Sequence, residues 1–365
     1  MDEQKYVVRR LAGLPGSGLR ILYEKGKAHI IVSSVVLAIL IAGLVVIFSV
    51  LSVEERDKAV KAIIGGLMNG GVLALITVGM VVVYKATRIF NMAHGGMLLF
   101  LTYLTWWLIA EQSVPYPLVL FLVAIAGVLL GWVLDRGLFR GMIGHGELSS
   151  FLITMILGFS VLHYITKLIF EGKDRVMPDV IGWLLKDIFQ VDSETVHVVG
   201  TYNLPWAELG SFIVATLMFL IFVTYFRFTR SGLAMRCVSE DNVISQSLGI
   251  RVKRIYTIAW IIGCLSAVTG GILLASVVGT VYASRGGIDG LAIMMALPIV
   301  VLGGLESIAG AYVAALIIGL VVSLSGFYAD TYIRGIADIV PWILLMVVMI
   351  IRPSGLFGMK GIKRI

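Results

Sequence analysis

The polar side chains best placed to do chemistry stand at the mouth of an apolar run. In "RIFNMAHGGMLLFLTYLTWWLIAE", Arg88 to Glu111, Asn91 offers an amide and His94 an imidazole, followed by Gly95 and Gly96. Such groups can hold a polar solute or pass a proton. A metal is not supported, because no second His or carboxylate stands at ligand spacing beside His94. A second set occupies "RFTRSGLAMRCVSEDNVISQSLGIRVKRIYT", where Ser239, Glu240 and Asp241 precede Val243, Ile244, Leu248 and Gly249. Hydrolytic chemistry finds no footing. The pairs Gly26-Lys27 and Gly172-Lys173 lack the leading Gly and following Ser or Thr of a phosphate-binding loop. "SLSG" at Ser323 to Gly326 lacks the leading glycine of a serine elbow, and His-Glu-x-x-His is absent. The chain is read as a non-enzyme, built for passage rather than reaction.

The elements that position these residues are membrane helices. Of 365 residues 59% are hydrophobic and 14% charged, and the mean hydropathy of +0.99 lies far above that of soluble domains. Apolar runs long enough to span a bilayer as helix recur near 28–51, 60–84, 90–110, 117–134, 148–170, 206–227, 257–282, 288–304, 307–327 and 336–351. The fold expected is therefore an all-α polytopic membrane protein of eight to ten transmembrane helices. The short run 288–304 contains Pro298 and is a candidate for a broken or re-entrant segment. The division expected is an N-terminal segment 1–27, a permease domain 28–352 and a tail 353–365. The first 27 residues carry six Lys or Arg without a cleavable apolar core, so they read as a retained cytoplasmic segment. With that end inside, 20 of the 29 Lys and Arg fall on the cytoplasmic side and 9 outside, which sets both termini in the cytoplasm. The same rule accounts for the net charge of +7 without nucleic acid. Cys237 and Cys264 suggest neither a disulfide framework nor a thiolate site.

Two hydrophilic stretches fall on opposite sides. The outer one, 171–205, places Trp183, Leu184, Leu185, Ile188 and Phe189 at helical spacing, as a helix lying on the membrane or docking an external partner would. The inner one, 228–256, contains a short helix expected from Glu240 to Leu248, with Ser239 as N-cap, Glu240 and Asp241 at the positive end of its dipole, and Gly249 as the residue past its end. Val243, Ile244 and Leu248 form an apolar ridge on it. Such a ridge fits another protein's groove, although an amphipathic connector would show the same pattern.

Resemblance weighs between these readings. "SEDNVISQSLGIRVKRI" resembles the "EAA...G" loop of ABC importer permeases, with Glu240, Asp241 and Gly249 at the matching positions and Asp241 and Asn242 where alanines are common. "GLMNGGVLALITVGMVVVYKATRIFNMAHGGMLLFLTYL", Gly66 to Leu104, resembles LivH-type permeases of branched-chain amino acid importers. Asn69, Gly70, Asn91, Ala93, His94 and Gly95 match that pattern, whereas Gly96 replaces the family's usual acidic residue. The terminal "RPSGLFG", Arg352 to Gly358, is similar too. The resemblance implies one permease of an importer in a prokaryotic inner membrane. It implies as partners a second, LivM-like permease, two cytoplasmic ATPases and an extracytoplasmic binding protein. This chain would need no cofactor, ATP and Mg being held by the ATPases. In that family the loop from Glu240 to Gly249 receives the ATPase, and related permeases carry urea and short amides; aromatic or dicarboxylic acids are a further alternative cargo.

Physical reasoning runs the same way. Polar groups at membrane depth must face protein or a water-filled path, so Asn91 and His94 are expected to face the bundle, either on a translocation pathway or as caps of the third span. Gly95 permits close approach or a broken helix start. Asn69, flanked by glycines, reads as a tight helix interface with one interhelical hydrogen bond. "ASRGGIDGLAIMMALPIVVLGGLESIAGAY" repeats the theme in the second half, with Asp289, Glu306 and Ser307 near its ends. Glu306 joins the candidate pathway. An ion-coupled secondary transporter is the competing class.

Overall fold

A computed structural model describes residues 53–142, 146–190, 195–199, 202–283 and 287–358. The chain divides into two compact units, Met1–Lys58 and Ala59–Ile365, and the second contains Asn91, His94 and the loop from Glu240 to Gly249. The expected segment 1–27, the first span and residues 359–365 lie outside the described residues. The helices are α1 Val53–Thr87, α2 His94–Ala110, α3 Tyr116–Gly137, α4 Glu147–Ile156, α5 His163–Phe170, α6 Val180–Phe189, α7 Trp206–Phe228, α8 Arg230–Glu240, α9 Asn242–Ser247, α10 Val252–Val278, α11 Ile288–Gly303, α12 Ile308–Tyr328 and α13 Ile336–Ile351. A π-helical turn, Leu157–Leu162, joins α4 to α5. Among the described residues six stretches are long and apolar enough to cross a membrane, and α2, α11 and α13 are shorter apolar helices. The protein is an all-α polytopic membrane protein, as expected. Lipid offers the backbone no partners, and a helix satisfies them internally.

Small residues let these helices touch. A Cβ added at Gly66 would lie 2.8 Å from the Gly319 carbonyl of α12, and one at Gly70 would lie 2.8 Å from that of Ala315. A Cβ at Gly131 of α3 would lie 2.7 Å from Ile261 Cα of α10. Close backbone contact of this kind replaces the hydrophobic drive that lipid does not supply. On α3 the packed face is Val119, Val123, Gly127 and Gly131, while Phe121, Leu129 and Val133 are exposed as a lipid-facing side requires. Asn69 is half-buried beside these contacts. Its side chain makes no hydrogen bond among the described residues, so the expected interhelical bond is not formed among them, and the close contact is made by Gly66 and Gly70 against Ala315, Gly319 and Ser323.

The third span starts later than expected, at His94 rather than near 90. Thr154 of α4 holds the preceding chain out of helix: its hydroxyl donates to the Phe90 carbonyl at 3.0 Å and accepts from the Met92 N–H at 3.2 Å. The seventh span runs Val252–Val278 instead of 257–282, because Gly279 adopts φ +78° and ends it. The segment 288–304 is one continuous helix through Pro298. It is short because it starts inside the bundle.

Two short strand pairings complete the described chain. β1, Arg175–Val176, pairs antiparallel with β4, Thr280–Val281, and β2, Thr195–Val199, with β3, Tyr202–Pro205. Within the outer stretch α6 forms where expected, capped by Asp179, whose carboxylate accepts from the Gly182 N–H at 2.7 Å. Trp183 stacks on Tyr116 with centroids 5.0 Å apart, and Ile181 and Leu185 pack over Gly210 of α7. One face of this helix is thus taken up by the chain's own bundle.

Candidate functional site

Two helix N-termini meet in the middle of the bundle. The chain leaves α1 at Thr87, turns at Arg88 with φ +61°, and returns without helical structure to His94. There the imidazole packs against Gly79 of α1 and Ser266, near the midpoint of α10. α11 arrives from the opposite end. A Cβ at Gly95 would lie only 2.7 Å from the Asp289 carbonyl in the first turn of α11. From this meeting point α2 runs toward β1 and β4, where the Tyr103 hydroxyl donates to the Lys173 carbonyl at 2.9 Å. α11 runs the other way, to Glu306 beside Arg88. The weak echo between the two halves is therefore a spatial pairing of helix starts.

The polar groups at this junction are buried and incompletely bonded. Asn91 and His94 are each 1% exposed. The Asn91 Nδ2 reaches only the Met97 sulfur, at 3.9 Å, and its Oδ1 has no partner among the described residues. The Ile76 carbonyl lies close enough to influence the His94 ring, yet neither ring nitrogen meets hydrogen-bond geometry. Neither residue caps α2. Its N-cap is Ala93, without a side-chain cap, and no acidic residue occupies its first turn. With glycine at position 96, the positive end of the α2 dipole has no countercharge from its own first turn. α11 differs: Asp289 sits in its first turn and its Oδ2 lies 2.8 Å from His163 Nδ1. Gly96 is also a steric necessity, since a Cβ there would lie 2.5 Å from the Gly158 carbonyl in the π-helical turn.

Glu306 is not at this junction. It lies at the basic end, paired with Arg88, while Lys85 donates to its carbonyl at 3.3 Å. Arg88 also donates to the Ser239 carbonyl of α8 at 2.7 Å. Sequence reasoning passed over Arg88, although its place directly before the Asn-His segment was the available signal. Through it, the end of α1, the α11–α12 connection and the end of α8 are held together. We expect Arg88→Gln and Glu306→Gln each to lower thermal stability, and a double-mutant cycle to return a coupling of about 1 kcal/mol, as for a partly exposed pair. Additive effects would show that the pair does not bind these elements.

The inner loop folds as two helices instead of one from Glu240 to Leu248. Leu233 is exposed, but Met235, Val238 and Ser239 bury one side of α8 and carry it through Glu240. Ser239 is therefore helical, its hydroxyl donating to the Arg236 carbonyl at 2.8 Å, and it is not the N-cap. That place falls to Asp241, extended at φ −156°, whose carboxylate accepts from the Ile244 N–H at 3.0 Å. Asp241 and Asn242 each have a structural use here. Asp241 caps α9, and Asn242 donates to the Tyr256 hydroxyl of α10 at 2.8 Å. Gly249 behaves as expected, with φ +81°. The Gly249 N–H bonds the Gln246 carbonyl at 2.9 Å and the Ile250 N–H that of Ser245 at 3.0 Å, the paired bonds of a Schellman stop. Glu240 is exposed. Ile244 and Leu248 are 53% and 72% exposed, so that part of the ridge faces outward.

Residues 62–350 match the family model described as "Branched-chain amino acid transport system / permease component". The chain is 26% identical over 325 residues to the high-affinity branched-chain amino acid transport system permease protein LivH of Salmonella typhimurium, covering 86% of this chain and 99% of that one. It is 26% identical over 314 residues to BraD of Pseudomonas aeruginosa, covering 84% and 97%. To the probable LivH of Methanocaldococcus jannaschii it is 24% identical over 326 residues, covering 85% and 97%.

Proposed function

The chain belongs to the branched-chain amino acid transport permease family, and from that premise we propose that it is one permease of an ATP-driven importer passing branched-chain amino acids across the inner membrane of a prokaryote. The observation that carries this reading is the junction of the α2 and α11 N-termini, with Asn91 and His94 buried and unsatisfied beside it. Helix starts meeting inside a membrane protein suit a solute that passes polar backbone groups between apolar walls. The α2 end, positive and with no acidic residue in its own first turn, suits the carboxylate of a zwitterion. Asn69 and Gly95 line the tight helix contacts around this pathway, and Glu306 stands at its basic mouth.

The basic end, rich in Lys85, Arg88, Arg140, Arg227 and Arg251, is the cytoplasmic one. The outer stretch 171–205 then faces the delivering binding protein. The partners are a second similar permease, that binding protein, and two ATPases that bind ATP and Mg. The ATPase docks on α9, where Ile244 and Leu248 present the ridge and Glu240 the adjacent charge; Val243 shares the helix. Movement there reaches the junction along α10, which Asn242 grips at Tyr256 and which touches His94 at Ser266. ATP hydrolysis would thus switch access from one side to the other.

Uptake of labelled leucine, urea and benzoate, with and without ATP depletion and with and without the gene, tests the assignment. Loss of ATP-dependent leucine uptake alone is expected. Uptake that ignores ATP but collapses with an uncoupler would instead indicate an ion-coupled transporter. A sharper test uses His94→Leu and Asn91→Leu. Replacing a buried unsatisfied polar group by an apolar one of similar size is neutral or stabilising. We therefore expect the melting temperature to hold while uptake falls about tenfold or more, as for loss of about 1.4 kcal/mol of pathway stabilisation. Unchanged uptake would reduce both residues to packing.

A further inference from the structure

Beneath the α9 stop, the basic end carries a cleft of about 730 Å³ lined by Arg136, Arg140, Arg251, Lys253 and Arg254, together with Thr257 and the α9 end at Gln246 and Gly249. The positive-inside rule explains why Lys and Arg lie on this side. It does not explain why five converge on one concavity from α3, the 3-10 turn Phe139–Met142 that follows it, the loop before α10 and α10 itself. No acidic side chain lines the cleft among the described residues. Arg136, Arg251, Lys253 and Arg254 pair with no carboxylate among the described residues, whereas Arg140 is fixed in the wall by Asp135 at 3.0 Å and by Thr257 at 2.9 Å. The Thr257 hydroxyl also donates to Asp135 at 2.6 Å. The Arg140 Nε is buried without an acceptor among the described residues.

The surroundings say what fits. Arg136 lies over the Trp132 ring, 4.7 Å from its centroid, and Trp132 is 41% exposed on the side of α3 that continues as Leu129, Ile125 and Phe121. An aromatic at this level marks the headgroup layer, and the apolar stripe beyond it is a bed for acyl chains. We propose that the cleft binds an anionic glycerophospholipid, its phosphodiester held among Arg136, Arg251 and Arg254 and its chains laid along the exposed face of α3. Basic pockets at the cytoplasmic boundary of membrane helices recognise such headgroups by charge. A lipid seated there also touches Gly249 and so props the α9 stop from below. The proposal stands apart from the identity of the transported solute.

The test uses the full chain copurified with its subunits, delipidated in detergent and titrated with phosphatidylglycerol or phosphatidylcholine under native mass spectrometry. Phosphatidylglycerol is expected to be retained over phosphatidylcholine. Arg251→Gln/Arg254→Gln should weaken it about tenfold or more. Arg251→Lys/Arg254→Lys should keep it, as should Arg227→Gln, a basic residue outside the cleft. Equal retention of the two lipids, or displacement of phosphatidylglycerol by millimolar inorganic phosphate, would overturn the proposal. So would a Gln variant that keeps the lipid and sheds its ATPases, which would make the cleft a protein-docking surface.

Discussion

Gly249→Val is expected to yield an assembled complex that hydrolyses ATP and fails to import. Gly249 holds φ +81°, and nothing lies within 4 Å of a Cβ added there, so the substitution meets no clash. Its cost is backbone strain, about 1–2 kcal/mol for a side chain forced into the left-handed region and most severe when β-branched. Strain of that size does not unfold a membrane bundle, but it undoes the Schellman bonds at Gly249 and Ile250 that stop α9 and aim the chain into α10. Gly249→Asn, which tolerates the same region, should retain most of the uptake. Reconstituted vesicles report both quantities: ATP turnover within about twofold of the parent, with uptake down tenfold or more, is the expected pair. Normal uptake by the valine variant would detach α9 from coupling.

Placing an acid in the first turn of α2 by Gly96→Asp should abolish the folded protein. The added Cβ would meet the Gly158 carbonyl at 2.5 Å and its Cα at 2.8 Å, both backbone atoms inside helical structure, and Gly158 is itself pressed against Ala93. No side chain can move aside to relieve this. The cost should equal or exceed the upper end of ordinary overpacking, about 3 kcal/mol, before a buried unpaired carboxylate is added. Gly96→Ala should fail in the same direction, which separates sterics from charge. Detergent-extracted protein followed by size exclusion and thermal melting gives the answer. A Gly96→Asp protein with the parent's melting temperature would show that α2 and the π-helical turn can part.

The sequence alone determined the solvent in which this protein folds, its all-α build from apolar segments, and its family. Those follow from local quantities: run length against bilayer thickness, and short motifs such as the Asn91 to Gly95 segment and the Glu240 to Gly249 loop. Gly249 was legible because a left-handed helix stop is a one-residue property. Tertiary structure decided the rest. That α2 begins only at His94, inside the bundle, depends on Thr154 holding Phe90 and Met92, more than 60 positions distant. That Asp241 rather than Ser239 caps α9 depends on Met235 and Val238 being buried, which extends α8 past the serine. Arg88 joins Glu306 and Ser239 across separations of 218 and 151 residues. Gly96 is a glycine because another glycine's backbone occupies the space its side chain would take. Contacts of this kind are made between segments, and no window along one segment contains them.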